Sequence, residues 1–165
     1  MRVNVVNAAE LLAEMKSMGL AFAVQRHAAV LTMAESGELE LMLQGERCKN
    51  LLLRDKTGQL FLVMTLADKA IDLKTLRASL GSARLSMASH DQMFETLGVK
   101  TGALSPLALV NDTQRAVKLV IDSELQLSPG LLLHPLDNSM SVQLSTHALG
   151  NFLSELGYAP AWTPL

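Results

Sequence analysis

Apolar positions along this chain recur at helical spacing in some stretches and in short unbroken runs in others. Leu11, Leu12 and Met15 share one face after Asn7, which predicts a helix from Ala8 to Met18, capped by Asn7 and closed by Gly19. Phe22 to Arg26 reads as a short strand, and Thr32 as the cap of a brief helical turn through Ala34 and Glu35. The apolar runs Lys49 to Arg54 and Gln59 to Leu66, parted by Asp55-Lys56-Thr57-Gly58, predict a β-hairpin with a glycine-containing turn. Asp72 starts a helix through Leu73, Leu76 and Leu80 that Gly81 ends; Ser89-His90-Asp91-Gln92 is a capping box for another, ended by Gly98. Strands follow near Ala116 to Asp122, Leu131 to His134 and Met140 to Leu144, then a helix from His147 to Leu156 before Gly157. The tail from Ala159 to Leu165 is expected to pack loosely over the body or against a partner. Interspersed strands and helices with a hairpin predict an α+β fold: one domain over residues 1–165, with a mixed, mostly antiparallel sheet and flanking helices.

Composition agrees with a globular domain: 165 residues, 49% hydrophobic and 18% charged, enough to bury a core without staples. Aromatic residues are only 4%, so Leu, Val, Ala and nine Met must fill it. The single cysteine, Cys48, excludes an internal disulfide. No secretory h-region or membrane-length apolar run is present, so the chain reads as cytoplasmic. Net charge is −2, but residues 47–84 carry eight basic against three acidic side chains, leaving −7 on the remainder. Such a field suits transient, salt-sensitive contact with one end of a polyanion; a solvated basic face is the plainer alternative.

Three segments can carry chemistry. Lys49 sits near a strand end, with Leu51 and Leu53 on its side and Asn50, Leu52 and Arg54 on the other. Such a lysine either snorkels into water, which spacing alone favours, or holds an anion or carbonyl in a cleft. Asn50 beside it can bond substrate or a neighbouring backbone. In Gly102-Ala103-Leu104-Ser105-Pro106 a permissive glycine and a stiff proline can aim N–H groups at a developing oxyanion, or form a plain turn. Ser105 can hydrogen-bond a substrate but has no triad. His134, held extended by Pro135, can move a proton near neutral pH or be structural. Asn138 and Asp112 read as loop braces, and His90 and His147 as surface residues at helix starts. No metal-ligand spacing, Walker loop, Rossmann glycine pattern or nucleophile elbow occurs.

In their order and spacing, Cys48-Lys49-Asn50-Leu51-Leu52-Leu53-Arg54-Asp55, the 102–106 loop, Val110-Asn111-Asp112 and His134-Pro135-Leu136-Asp137-Asn138 resemble the YbaK/ProX trans-editing family. These are free-standing hydrolases that deacylate mischarged prolyl-tRNA. The likeness is nearest the ProX (PrdX, ProXp-ala) branch and runs from about His27 to Tyr158. It implies a YbaK-like fold, no metal and no cofactor. It also implies that Lys49 is the active-site lysine, with Gly102, Ser105 and His134 as further catalytic candidates. Asn50, Ala103, Leu104, Pro106, His27 and Asn138 would contact substrate, and Cys48 would not be a nucleophile. The implied substrate is alanyl-tRNA-Pro, gripped at its acceptor end, with prolyl-tRNA synthetase as a further partner and no role for membrane or DNA. Two departures, Ala28-Ala29 for a Pro-Pro pair and Leu107-Ala108-Leu109 for Phe-Gly-Leu, leave open a larger substrate such as 2-aminobutyrate, serine, threonine or cysteine. A non-catalytic tRNA- or synthetase-binding module is the reading from another class.

Overall fold

The computed structural model describes residues 5–29 and 41–165, so the turn expected after Thr32 lies outside the described residues. In chain order the elements are α1 (Ala8–Ser17), β1 (Ala23–Arg26), β2 (Glu46–Asp55), β3 (Leu60–Leu66), α2 (Leu73–Leu80), β4 (Leu85–Met87) and α3 (His90–Leu97). A 3-10 turn (Pro106–Asn111), β5 (Val117–Asp122), a second 3-10 turn (Ser123–Leu127), β6 (Leu131–Leu133), β7 (Met140–Leu144), α4 (Thr146–Glu155) and β8 (Ala161–Thr163) complete them.

The helices begin and end where their caps say. Asn7 and Ser89 each close a capping box, with Glu10 and Gln92 respectively, and each such cap contributes about 1 kcal/mol. Asp72 caps α2, and Gly81 and Gly98 close α2 and α3 in the left-handed conformation. The hairpin forms β2 and β3 in antiparallel register from Cys48 opposite Leu66 to Arg54 opposite Leu60. Asp55 fixes its turn by accepting the N–H groups of Thr57 and Gln59.

The sheet order is β1-β7-β6-β2-β3-β5-β8, with β4 on β2; four of the seven pairings are antiparallel and three parallel. The mixed, mostly antiparallel expectation therefore holds. The tail differs: Ala161–Thr163 pairs in parallel with Val120–Asp122, and Trp162 packs on the core. Backbone pairing, which a three-residue strand does not announce by alternation, fixes that segment.

Strand alternation divides the apolar residues between two cores. Leu52, Leu62, Met64, Leu119 and Ile121 face the larger one, which Leu11 and Met15 of α1, Leu97 of α3, and Leu149, Phe152 and Leu153 of α4 complete. Leu53, Phe61, Val63 and Val120 face the smaller one beneath Leu76 of α2. Phe152 is fully buried, and truncating such a side chain costs about 3–5 kcal/mol.

One close approach sets the site. Gly45 has φ +152, and a Cβ there would lie 3.1 Å from the Gly130 carbonyl oxygen. Its bare backbone lets Glu46 donate its N–H to that carbonyl at 2.8 Å, which starts β2 beside β6.

Candidate active site

Strand β2 has two partners on one edge. It pairs with β6 at Glu46 and Arg47 and with β4 at Leu53–Asp55, so the sheet forks between them. A cleft of about 30 Å³ opens in the fork, lined by Leu41, Arg47, Cys48, Asn50, Leu132, Leu133, His134 and Ser141.

His134 stands at the end of β6. Its Nδ1 lies 2.7 Å from the Met140 carbonyl oxygen, which only accepts, so Nδ1 carries the proton and Nε2 keeps its lone pair. Nε2 has no partner among the described residues. Burial holds the ring below the ordinary imidazole range, against the Met140 bond; His27 adds to the lowering and Asp137 opposes it. At neutral pH His134 is therefore an uncharged base. The turn after it is strained: Leu136 has φ +68, a region a branched side chain rarely adopts. Asp137 pins this turn by accepting the Ser139 N–H at 2.8 Å and hydroxyl at 2.6 Å. Asn138 belongs to the same turn.

His27 enters from the far side of β7. Its Nδ1 donates to the Ala28 carbonyl at 2.8 Å, and Nε2 lies 2.8 Å from the Ser141 hydroxyl, which donates to it in the neutral ring. The His27 and His134 rings meet edge-on with centroids 5.9 Å apart. Cys48 is no nucleophile here. Burial, helped by the Glu46 carboxylate, pushes its thiol up to about 12.

Asn50 lines the cleft with an unspent acceptor. Its Oδ1 is buried and accepts no hydrogen bond from any described residue. Lys49 faces the other way, as alternation requires. It lies opposite Thr65, and its ammonium donates to the Lys69 carbonyl. Among the described residues no carboxylate lies within ion-pair distance of Lys49, whereas Lys69 bridges Asp122 at 2.9 Å and Glu124 at 3.2 Å. The structure thus brings Asn50, His27 and His134 together and sets Lys49 on the opposite face of β2.

The 102–106 loop touches the cleft at one point. The Ser105 hydroxyl donates to the His134 carbonyl at 2.8 Å and accepts the Leu107 N–H, so this serine braces the histidine and starts the 3-10 turn. Ala103, Leu104 and Pro106 are buried in the core. Gly102 has φ +90, which a side chain would resist. Ala103 spends its N–H on the Lys100 carbonyl, while those of Gly102 and Leu104 have no acceptor among the described residues. Leu107, Ala108 and Leu109 are also buried and do not line the cleft.

Sequence reasoning passed over Arg47 and Ser141 as site residues. Arg47 was visible only as one member of a basic segment. Ser141 gave one signal, a small polar residue inside the apolar Met140–Leu144 run. A roomier hollow of about 210 Å³ beside Glu95, Asn111 and Asp112 is structural. There Asp112 accepts the Ala116 and Val117 N–H groups and the Tyr158 hydroxyl, and Asn111 ties Val6 to Leu97.

A cleft that sets an uncharged base beside an unspent buried acceptor has parts of a hydrolytic site. Residues 27–152 match the aminoacyl-tRNA editing domain, and the chain belongs to that family. It is 34% identical over 147 residues to the prolyl-tRNA editing protein ProX of Acetoanaerobium sticklandii, covering 88% of this chain and 90% of that one. It is 35% identical over 136 residues to prolyl-tRNA synthetase associated domain-containing protein 1 of Danio rerio, covering 81% and 74%. Among solved structures, one described as a candidate trans-editing enzyme for prolyl tRNA synthetase superposes with a TM-score of 0.69 at 17% identity, covering 98% and 99%. The resemblance carried by the 48–55, 102–106 and 134–138 segments is borne out, as is the fold it implied.

Proposed function

We propose that this protein is a free-standing deacylase that hydrolyses mischarged tRNA-Pro, with alanyl-tRNA-Pro as its substrate. The observation that carries the reading is the uncharged His134 Nε2 standing with the unpaired Asn50 Oδ1 in one cleft. The similarity to a prolyl-tRNA editing protein supports the tRNA. The need is physical: a synthetase pocket built for proline discriminates only modestly against a smaller side chain, so a second, smaller site must remove the error.

The reaction uses water. His134 Nε2 takes a proton from water as its oxygen bonds to the ester carbonyl carbon. The Gly102 and Leu104 N–H groups receive the developing oxyanion. The tetrahedral intermediate then collapses, the carbon–oxygen bond to the terminal ribose breaks, and His134 returns the proton to the ribose oxygen. Free alanine and deacylated tRNA result, and the vicinal ribose hydroxyl can assist the transfer. His27 borders the water site, held by Ser141. Lys49 and Arg47 supply positive charge for acceptor-end phosphates, with Lys49 acting from the far face of β2 rather than on the ester. Selection of tRNA-Pro falls to the basic 47–84 segment or to prolyl-tRNA synthetase, in the cytoplasm where charged tRNA circulates.

The test is hydrolysis of tRNA-Pro charged with alanine, 2-aminobutyrate, cysteine, serine or proline. Alanine is removed fastest and proline is spared. Tight tRNA binding without hydrolysis of any ester would instead define a binding module.

A further inference from the structure

Ser141 is buried beside the base, and the hydrolytic steps use it only to hold His27. It lines the cleft with His134. The last paired residues of β6 and β7 are Leu133 and Val142, so one step further the antiparallel register sets Ser141 opposite His134. Opposed residues share a face of the sheet. The hydrogen bonding of Ser141 is directional. The Ala28 carbonyl only accepts, so in the neutral ring His27 Nδ1 carries the proton, and Nε2 takes the Ser141 hydroxyl proton at 2.8 Å. A serine has one proton to give and two lone pairs to receive with. With the proton committed, Ser141 Oγ acts toward the cleft only as an acceptor, and no described residue donates to it. His134 Nε2 is in the same condition, because Nδ1 spends its proton on Met140. Two such acceptors on one face call for a ligand with two donors. Water is the smallest that fits: the cleft measures about 30 Å³, and an ordered water needs roughly 10–15 Å³.

We propose that Ser141 is a catalytic residue that holds the hydrolytic water jointly with His134: the water donates one O–H to His134 Nε2 and the other to Ser141 Oγ. Both of its protons then point into the protein, and its lone pairs are left for the ester carbonyl carbon. This rests on the deacylase reading and supplies what a base alone leaves open, the direction of attack. As the water oxygen bonds to the carbonyl carbon, one proton passes to Nε2. The other stays on the oxygen, still donated to Ser141, into the tetrahedral intermediate. Ser141 gains and loses no proton and forms no bond to carbon. His27 acts one step removed, as a positioning residue: by taking the hydroxyl proton it keeps Ser141 Oγ an acceptor.

The experiment reads both the water and the rate. A crystal structure of the wild-type protein should show one ordered water within about 3.2 Å of His134 Nε2 and of Ser141 Oγ together. In single-turnover hydrolysis of alanyl-tRNA-Pro, taken per folded molecule, Ser141→Ala should lower kcat roughly 10- to 100-fold and leave KM for tRNA within about twofold. His27→Phe keeps a ring against His134 but frees the serine proton to turn, and should lower kcat about three- to tenfold, again with KM unchanged. A water on Nε2 whose second acceptor is Asn50 Oδ1, unpaired in the same cleft, instead of Ser141 Oγ would overturn the proposal. So would wild-type turnover by either variant, or a loss that falls on KM alone. If Ser141→Ala does not fold, His27→Phe and the wild-type water decide. A wild-type protein that hydrolyses no alanyl ester would overturn the deacylase reading itself, and this inference with it.

Discussion

The two faces of strand β2 handle buried polar groups in opposite ways. On the Lys49 face, Asp122 is fully buried yet satisfied. It accepts the Thr65 hydroxyl at 2.6 Å, the Glu124 N–H at 3.0 Å and the Lys69 ammonium at 2.9 Å. Burial raises its pKa, but these bonds outweigh it and hold the carboxyl below the usual range. On the Asn50 face, Asn50 Oδ1 and His134 Nε2 lack donors among the described residues. The contrast divides one strand between two networks: the completed one ties β3, β5 and the following turn together, and the incomplete one is, on the proposed reading, where substrate binds.

Substitutions on the two faces should therefore fail differently. The largest effect falls on His134. His134→Ala lowers kcat by about 10²–10⁴ with little change in KM for tRNA, measured by single-turnover deacylation. In the wild-type protein the rate falls as pH drops through the His134 pKa, with a midpoint below 6.5; a midpoint above 6.5 would exclude His134 as the base. Stability has the same sign. A histidine whose folded pKa is depressed contributes most above its unfolded value, and that contribution is lost as pH falls through the folded one.

Asp122→Ala comes next and acts on folding. Removing the carboxylate strands the Thr65 hydroxyl and Lys69, which should cost about 3 kcal/mol in urea unfolding. The deacylation rate per folded molecule should remain near the wild-type value. Because the Asp122 carboxyl is held low, its contribution is complete above the ordinary carboxylate pKa and disappears as pH falls through the folded value. Acid unfolding of Asp122→Ala should accordingly be flatter than that of the wild type.

Lys49→Ala should have the smallest effect on the fold, within about 0.5 kcal/mol, because its ammonium holds only a backbone carbonyl. Its effect lies in tRNA affinity. Weaker binding, with a salt dependence reduced by roughly one phosphate contact, is the expected outcome in filter binding. A loss confined to kcat would instead place Lys49 at the ester.

Local physics explains what was legible in the sequence. Asn7, Asp72, Ser89, Gly81 and Gly98 act on backbone within a turn of themselves, so the helices were readable. Alternation gave the hairpin and the opposed faces of Lys49 and Asn50. The fork was not legible, because it depends on Gly45 meeting Gly130, a contact across 85 residues of chain. Nor was the bond between His27 and Ser141, which are 114 residues apart. Ser105 shows the intermediate case. Its place in the glycine loop was visible, but its commitment to the His134 carbonyl appears only once the chain is folded. Strands β4 and β8 have three residues each, too few to show a period.

The most direct test of the contrast measures melting temperature and kcat/KM together for Asn50→Leu and Asp122→Ala with alanyl-tRNA-Pro. Removing an unsatisfied buried acceptor should leave Asn50→Leu as stable as the wild type or more stable by about 1 kcal/mol, roughly 2–4 °C, while kcat/KM falls at least about tenfold. Asp122→Ala should melt lower and keep its activity. Both variants losing stability with activity intact, or both losing activity alone, would contradict the account.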